Sequence, residues 1–239
     1  MATIVTCQDR AGVAQTVARR LAAFVERRQI DPRHVVQLCL TGGRIANDVY
    51  GAIAHEEPCG IDWSRLALWW GDERFVPAGS PDRNAGQSLS VLARTIPLDR
   101  TRVHPMPSAG AGSDDLAGAA QHYASELGDT EFDLCLLGMG EDGHVASLFP
   151  GHPAFSPQTT RRVVGVTDSP KPPPERISLT LPVINASREV WLLVAGREKA
   201  AAAARAINGD ATLPAGHVAG RERTVWFLDQ EAAAEIADS

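Results

Sequence analysis

Short, almost wholly apolar runs recur along this chain. Between them lie stretches in which apolar residues return every three or four positions. The runs are Val35–Leu40, Leu66–Trp70, Phe132–Leu137, Val190–Val194 and Val225–Leu228, with a weaker one at Thr3–Thr6. Runs of four to six apolar residues with no helical period predict strands buried on both faces. The intervening pattern predicts helices. Asp9 caps one whose inner face is Val13, Val17, Leu21, Phe24 and Val25 and which Asp31-Pro32 breaks. Others place Ile45, Val49, Tyr50 and Ile53, then Leu89, Leu92 and Ile96, then Leu116, Ala120, Tyr123 and Leu127 on one face each. Ser113 or Asp114 caps the last of these. An Ala-rich helix runs to Ile207, and Asp229 caps a short final one.

Residues 97–112, rich in Pro, Gly and Ser, read as a long surface loop. The stretch after Pro150, through Val163 to Val166, shows little regular structure. Asp168 to Arg176 is proline-dense and extended, either an interdomain linker or a rigid arm over a site. Ile177–Leu181 reads as a strand. Strand alternating with helix predicts an α/β fold: a Rossmann-like, mostly parallel sheet with helices on both faces and a small additional β-containing part. The whole chain, 1–239, reads as one such domain.

Composition narrows the function classes. A chain of 239 residues that is 44% hydrophobic can bury one sizeable core. A net charge of −6 without a long basic run argues against nucleic acid and against an anionic membrane surface. Cys7, Cys39, Cys59 and Cys135 form no Cys-x-x-Cys pair, and Cys39 and Cys135 fall inside predicted strands. Buried free thiols in a reducing compartment account for them. Clustered metal ligands are not evident. The amino terminus lacks a signal peptide's basic start and apolar core, and no segment reaches membrane-spanning length. The expectation is a cytoplasmic protein.

The chemistry lies in the residues just after the apolar runs. Four of the runs end in a glycine and charges: Thr41-Gly42-Gly43-Arg44, Gly71-Asp72-Glu73-Arg74, Gly138 to His144, and Gly196-Arg197-Glu198-Lys199. In an open α/β sheet the carboxyl ends of the strands share one crevice. Asp72, Glu73 and Arg74 would either form a salt-bridged turn or face that crevice. A strand, glycine turn and helix start at 41–44 leaves backbone N–H groups free for an anion. Arg and Lys around it suit a phosphate or carboxylate. An Asp beside a neutral His suits proton transfer. The residues alone therefore imply a phosphorylated small molecule and a hydrolysis or isomerisation without metal.

These segments resemble the 6-phosphogluconolactonase family nearly end to end. Leu38-Cys39-Leu40-Thr41-Gly42-Gly43 is similar to its strand and phosphate loop. Trp70-Gly71-Asp72-Glu73-Arg74-Phe75-Val76-Pro77 is similar to its Asp-Glu-Arg segment, with Ser80 to Asn84 the downstream partner. Leu136-Leu137-Gly138-Met139-Gly140-Glu141-Asp142-Gly143-His144 through Pro150 resembles its signature, and Ser169 to Thr180, Gly196 to Lys199 and Leu213-Pro214-Ala215 its later motifs. The resemblance implies hydrolysis of 6-phosphogluconolactone to 6-phosphogluconate, with no cofactor and no metal. It implies His144 as the base that activates water and Asp142 as its orienting acid. It further implies Gly42, Gly43, Arg44, Asp72, Arg74, Asn84, Gly140, Arg176 and Lys199 in substrate and phosphate binding. Backbone N–H groups around Gly140 are a candidate for the oxyanion.

One departure stands out. Arg44-Ile45-Ala46 replaces the hydroxyl residues and proline with which the family enters its first phosphate-loop helix. The rival is the glucosamine-6-phosphate deaminase family, whose histidine is followed by an Asn-Glu-Pro run, whereas Val145 to Pro150 contains no acid. A non-catalytic sugar-phosphate sensor is a third reading, without a basic recognition segment to support it. His34, His55, His104, His122, His152 and His217 read as structural or solvated, and Trp69 and Trp70 as core and rim rather than ligand platforms. The expected partner is the small sugar-phosphate lactone, bound by a monomer or small homo-oligomer.

Overall fold

A computed structural model describes residues 2–53, 60–110 and 115–236. In chain order its elements are β1 (Thr3–Cys7), α1 (Arg10–Arg28), β2 (Val36–Leu40), α2 (Arg44–Ala52), β3 (Leu66–Trp70), β4 (Asp72–Arg74), α3 (Asn84–Thr95) and α4 (Leu116–Leu127). Next come β5 (Leu134–Gly138), β6 (Val163–Val166), β7 (Arg176–Leu179), α5 (Leu181–Asn185), β8 (Glu189–Val194), α6 (Ala200–Ile207) and β9 (Arg223–Asp229). Six strands pair in the order β1-β9-β8-β5-β2-β3, every pair parallel. A second, antiparallel sheet has the order β4-β7-β6.

The apolar runs are explained by cover on both faces. Leu38, Leu40, Leu134, Leu136, Trp191 and Leu193 join Val13, Val17, Leu21, Val49 and Leu92 of α1, α2 and α3 in one core. Their immediate neighbours Cys39, Cys135, Leu137, Val190, Leu192 and Val194 join Tyr123, Leu127, Ile184 and Ala203 of α4, α5 and α6 in the other. Successive strand residues point to opposite faces, so a strand packed on both has no polar position. Cys39 and Cys135 lie side by side in register, both buried and free. Asp9 caps α1 as predicted, accepting from the Gly12 amide at 2.8 Å; such a cap contributes about 1 kcal/mol.

Several elements differ from the sequence expectation. Val163–Val166 is a strand rather than irregular chain, because β7 supplies its ladder from a distance. The predicted strand Ile177–Leu181 starts one residue earlier and ends at Leu179. Leu181 instead opens α5, where Pro182 sits in the first turn and loses no helical hydrogen bond. Asp72-Glu73-Arg74 is a strand paired with β7 and not a turn. After Asp229 the chain forms turns and not a helix, although Asp229 accepts from the Ala232 amide at 2.7 Å. The cap of α4 is Asp115, which accepts from the Gly118 amide at 2.6 Å. Ser113, Asp114, His55 and Cys59 lie outside the described residues.

Candidate active site

A cleft of about 350 Å³ opens at the carboxyl ends of β2, β5 and β8. All four glycine-plus-charge loops reach it, as do Lys171 and Arg176 of the proline-dense arm. That arm is therefore a wall of the cleft and not a linker. The cleft collects Arg10, Arg44, Arg74, Lys171, Arg176 and Lys199, in a chain whose net charge is −6. Asp72, Glu141 and Glu198 stand among them.

The loop after β2 presents an uncapped helix start. Thr41 hands its carbonyl to the buried Tyr50 hydroxyl at 2.8 Å and its amide to the same oxygen at 3.1 Å. This ties the loop to α2. Gly43 precedes α2 with φ 100°, and no side chain caps that helix. Its first amides are free for a ligand, with the positive end of the helix dipole behind them. Gly42 is required for a different reason. A Cβ there would lie 1.9 Å from the Asn84 Oδ1 atom. Asn84 in turn donates from Nδ2 to the Asp72 carbonyl at 3.0 Å and the Asp72 carboxylate at 3.3 Å. The other Asp72 oxygen accepts from the Ser147 hydroxyl at 2.7 Å.

The loop after β5 carries His144 and Asp142. His144 and Asp142 meet through Nδ1 and Oδ1 at 2.5 Å. A carboxylate accepts, so the proton sits on Nδ1 and the Nε2 lone pair is left for the cleft. Phe149 packs on the imidazole with ring centroids 4.5 Å apart. Gly140 lies under the pair: a Cβ there would come within 2.1 Å of His144 Nδ1 and 2.5 Å of Asp142 Oδ1. The Gly140 amide donates to the His144 carbonyl at 2.9 Å. It is therefore spent on holding the loop, which leaves its neighbours as the backbone N–H candidates for the oxyanion.

Burial pushes the Asp142 carboxyl up, but hydrogen bonds from the His144 ring and amide, with the charges of His144 and Lys171, outweigh it and hold it at about 2. A carboxyl held below its unfolded value stabilises the fold above that value, and the contribution fades as pH falls through the folded one. The difference in denaturant midpoint between the wild type and Asp142→Asn is thus expected to shrink as pH drops from 3.8 to about 2. A difference that stays constant across that window would show that Asp142 is not held this way.

The cations differ in how free they are. Lys199 Nζ donates to the Met139 carbonyl at 2.7 Å. Burial pulls its ammonium below the usual lysine value, Lys171 and Arg44 add to this, and Glu198 and Glu141 oppose it. Arg176 Nε donates to the Pro173 carbonyl at 3.2 Å, and Nη2 to the carbonyls of Lys171 and Pro172 at 2.9 and 3.1 Å. It pins the arm and leaves mainly Nη1 for a ligand. Arg74 gives Nη1 to the Asp82 carbonyl at 2.6 Å, while its Nε is buried with no partner among the described residues. Lys171 pairs with Glu141 at 3.2 Å across the mouth.

Of the sequence-predicted residues, Gly42, Gly43, Arg44, Asp72, Arg74, Asn84, Gly140, His144, Arg176 and Lys199 line the cleft, and Asp142 stands behind His144. Glu73 does not face it. Sequence reasoning missed Arg10, which lines the cleft and pairs with Asp48 at 2.7 Å. Its signal was present, a charge just after an apolar strand, but no glycine accompanied it. Among the described residues no three His, Cys, Asp or Glu side chains are grouped to hold a metal ion, and no helix is long and apolar enough to cross a membrane.

A sequence model of the family described as glucosamine-6-phosphate isomerases/6-phosphogluconolactonase matches residues 8–226. The 6-phosphogluconolactonase of Streptomyces coelicolor is 46% identical over 250 aligned positions, which cover 99% of this chain and 95% of that protein. That of Mycobacterium leprae is 41% identical, covering 98% of each. The solved structure of 6-phosphogluconolactonase from Thermotoga maritima superposes with a TM-score of 0.82 at 29% identity, covering 96% of this chain and all of that one (100%).

Proposed function

The chain belongs to the glucosamine-6-phosphate isomerase/6-phosphogluconolactonase family, and from that premise we propose that it is a lactonase whose water is activated by His144. It hydrolyses 6-phospho-D-glucono-1,5-lactone to 6-phospho-D-gluconate in the oxidative pentose phosphate pathway. The observation that carries the mechanism is the Asp142–His144 pair, set in a cleft ringed by cations and by an uncapped helix start.

The cations and the α2 amides hold the phosphate, which fixes the lactone carbonyl near Nε2 of His144. Nε2 takes a proton from water as its oxygen attacks the carbonyl carbon. Asp142 stabilises the imidazolium that forms. The tetrahedral intermediate then expels the ring oxygen, which takes the proton back from Nε2. The carboxylic acid so formed ionises, and the imidazole is neutral again. The stretch after His144 favours the lactonase over the deaminase reading. An isomerisation needs further acids to carry protons along the sugar, and 145–150 offers none. We place the enzyme in the cytoplasm.

The test is hydrolysis of freshly generated 6-phosphogluconolactone, with the spontaneous rate subtracted and the unphosphorylated lactone run in parallel. Fast turnover of the phosphorylated lactone alone supports the reading. No rate above background on it defeats the reading and turns attention to glucosamine 6-phosphate. Lys199→Ala is expected to raise KM about tenfold and leave kcat within a few-fold, as loss of a phosphate contact does. An unchanged KM would remove Lys199 from the phosphate site.

A further inference from the structure

β4 is three residues long, and its side chains alternate. Asp72 and Arg74 enter the cleft, so Glu73 points the other way. It is completely buried (0% exposed). A carboxylate taken out of water needs partners, and those of Glu73 are specific. Its Oε1 accepts from the Arg74 amide at 2.9 Å and the Asn84 amide at 2.7 Å. Oε2 accepts from the Ala85 amide at 2.9 Å and lies 3.5 Å from Nη2 of Arg83. Burial raises the Glu73 carboxyl, while the three amides and Arg83 pull it down.

Asn84 and Ala85 open α3, and the residue before them, Arg83, gives that helix no side-chain cap. Glu73 supplies the cap from a distant strand. Its charge also sits at the positive end of the helix dipole. Arg83 is itself buried and donates to the carbonyls of Met106 and Pro107 at 2.5 and 3.2 Å, so it is anchored from behind. One carboxylate thus seats the backbone of Arg74 and of Asn84, and Asn84 in turn holds Asp72 and lies on Gly42.

The geometry points to Glu73 as a positioning residue of the active site: it touches no substrate, and it sets Arg74, Asn84 and Asp72 in the binding wall by capping α3 across the β4–α3 junction. This rests on the lactonase reading for its kinetic consequence and on the hydrogen bonds alone for its structural one.

Glu73→Gln keeps the shape but turns an NH₂ toward donors. It is expected to raise KM for 6-phosphogluconolactone about tenfold, with a smaller change in kcat. Asn84→Ala should raise KM as well. Because Glu73 acts through Asn84, the double variant should fall well short of the product of the two effects. Amide hydrogen exchange at Asn84 and Ala85 should quicken in Glu73→Gln while the sheet amides keep their rates. A folded Glu73→Gln with wild-type KM, or KM effects that multiply, would overturn the proposal. Should the glutamine variant not fold, Glu73→Asp keeps the charge on a shorter stem. A wild-type KM and wild-type exchange at those two amides in it would overturn the proposal equally. If the wild type itself fails to turn over the lactone, the lactonase reading falls. The exchange at Asn84 and Ala85 then decides the role of Glu73 by itself.

Discussion

His144→Ala is expected to lower kcat on 6-phosphogluconolactone by about a thousandfold, the middle of the range for loss of a general base. Among the described residues of the cleft, the imidazole is the group held by a carboxylate on one nitrogen and open on the other. Its removal takes the proton acceptor and leaves the cations and the α2 amides in place. KM should therefore stay within a few-fold, and product should still bind. The fold should survive, because the ring sits at the cleft and outside both cores. The cost to stability combines the contact with Phe149, about 1 kcal/mol for an aromatic pair, with the lost hydrogen bond to Asp142. Turnover and thermal unfolding measured on one preparation separate these effects. A variant with wild-type turnover would exclude His144 as the base, and one that loses turnover and fold together would leave the ring a structural part.

Gly140→Ala is expected to lower kcat on the order of a hundredfold, about a tenth of that loss, with both members of the pair left in the sequence. The added methyl would occupy space 2.1 Å from His144 Nδ1, 2.2 Å from Cε1 and 2.5 Å from Asp142 Oδ1. Those atoms have to move by roughly 1 Å or more to reach ordinary contact, and a displacement of that size costs on the order of a hundredfold in rate. The Gly140 amide bond to the His144 carbonyl need not break, so the loop should keep its path. A kcat within threefold of wild type would mean that the ring adjusts freely. The base would then not depend on the seat that Gly140 and Asp142 provide.

The parallel sheet was legible because its buried strands are covered on both faces and so read as nearly unbroken apolar runs, while the exposed edge strand β1 gives only a weak one. The second sheet was legible only in part: a small β-containing addition is expected and Ile177–Leu181 reads as a strand, which β7 is but for its ends. β4 and β6 were not legible; they are three and four residues long, and β4 pairs with β7 across about a hundred positions of sequence. Neither the length nor the composition of these two carries a period, and only tertiary pairing makes them strands. The same cause hid the direction of Glu73. In Asp72-Glu73-Arg74 alternation is decisive, and it cannot be applied until the segment is known to be extended. The site was legible where glycine and charge come after an apolar run, since that pairing marks a backbone turned toward a ligand. Arg10 has the charge without the glycine. Asn84 begins a helix far from any such run, and its place was reached through resemblance alone. Which amides around Gly140 are free is also invisible in sequence: that of Gly140 itself is committed to the carbonyl of His144.

The cleft has one wall on each sheet. His144, Lys199 and the Gly42–Gly43 loop stand at the ends of long, doubly covered strands. Asp72, Arg74 and Arg176 stand on strands of three and four residues. Both walls nevertheless rest on one core, since Val163, Val166, Ile177 and Leu179 of the second sheet pack with Cys135, Leu137 and Leu192 of the first. A change beneath either wall is therefore passed to the other through shared packing, so the two halves of the cleft keep their spacing only as long as that one core keeps its volume.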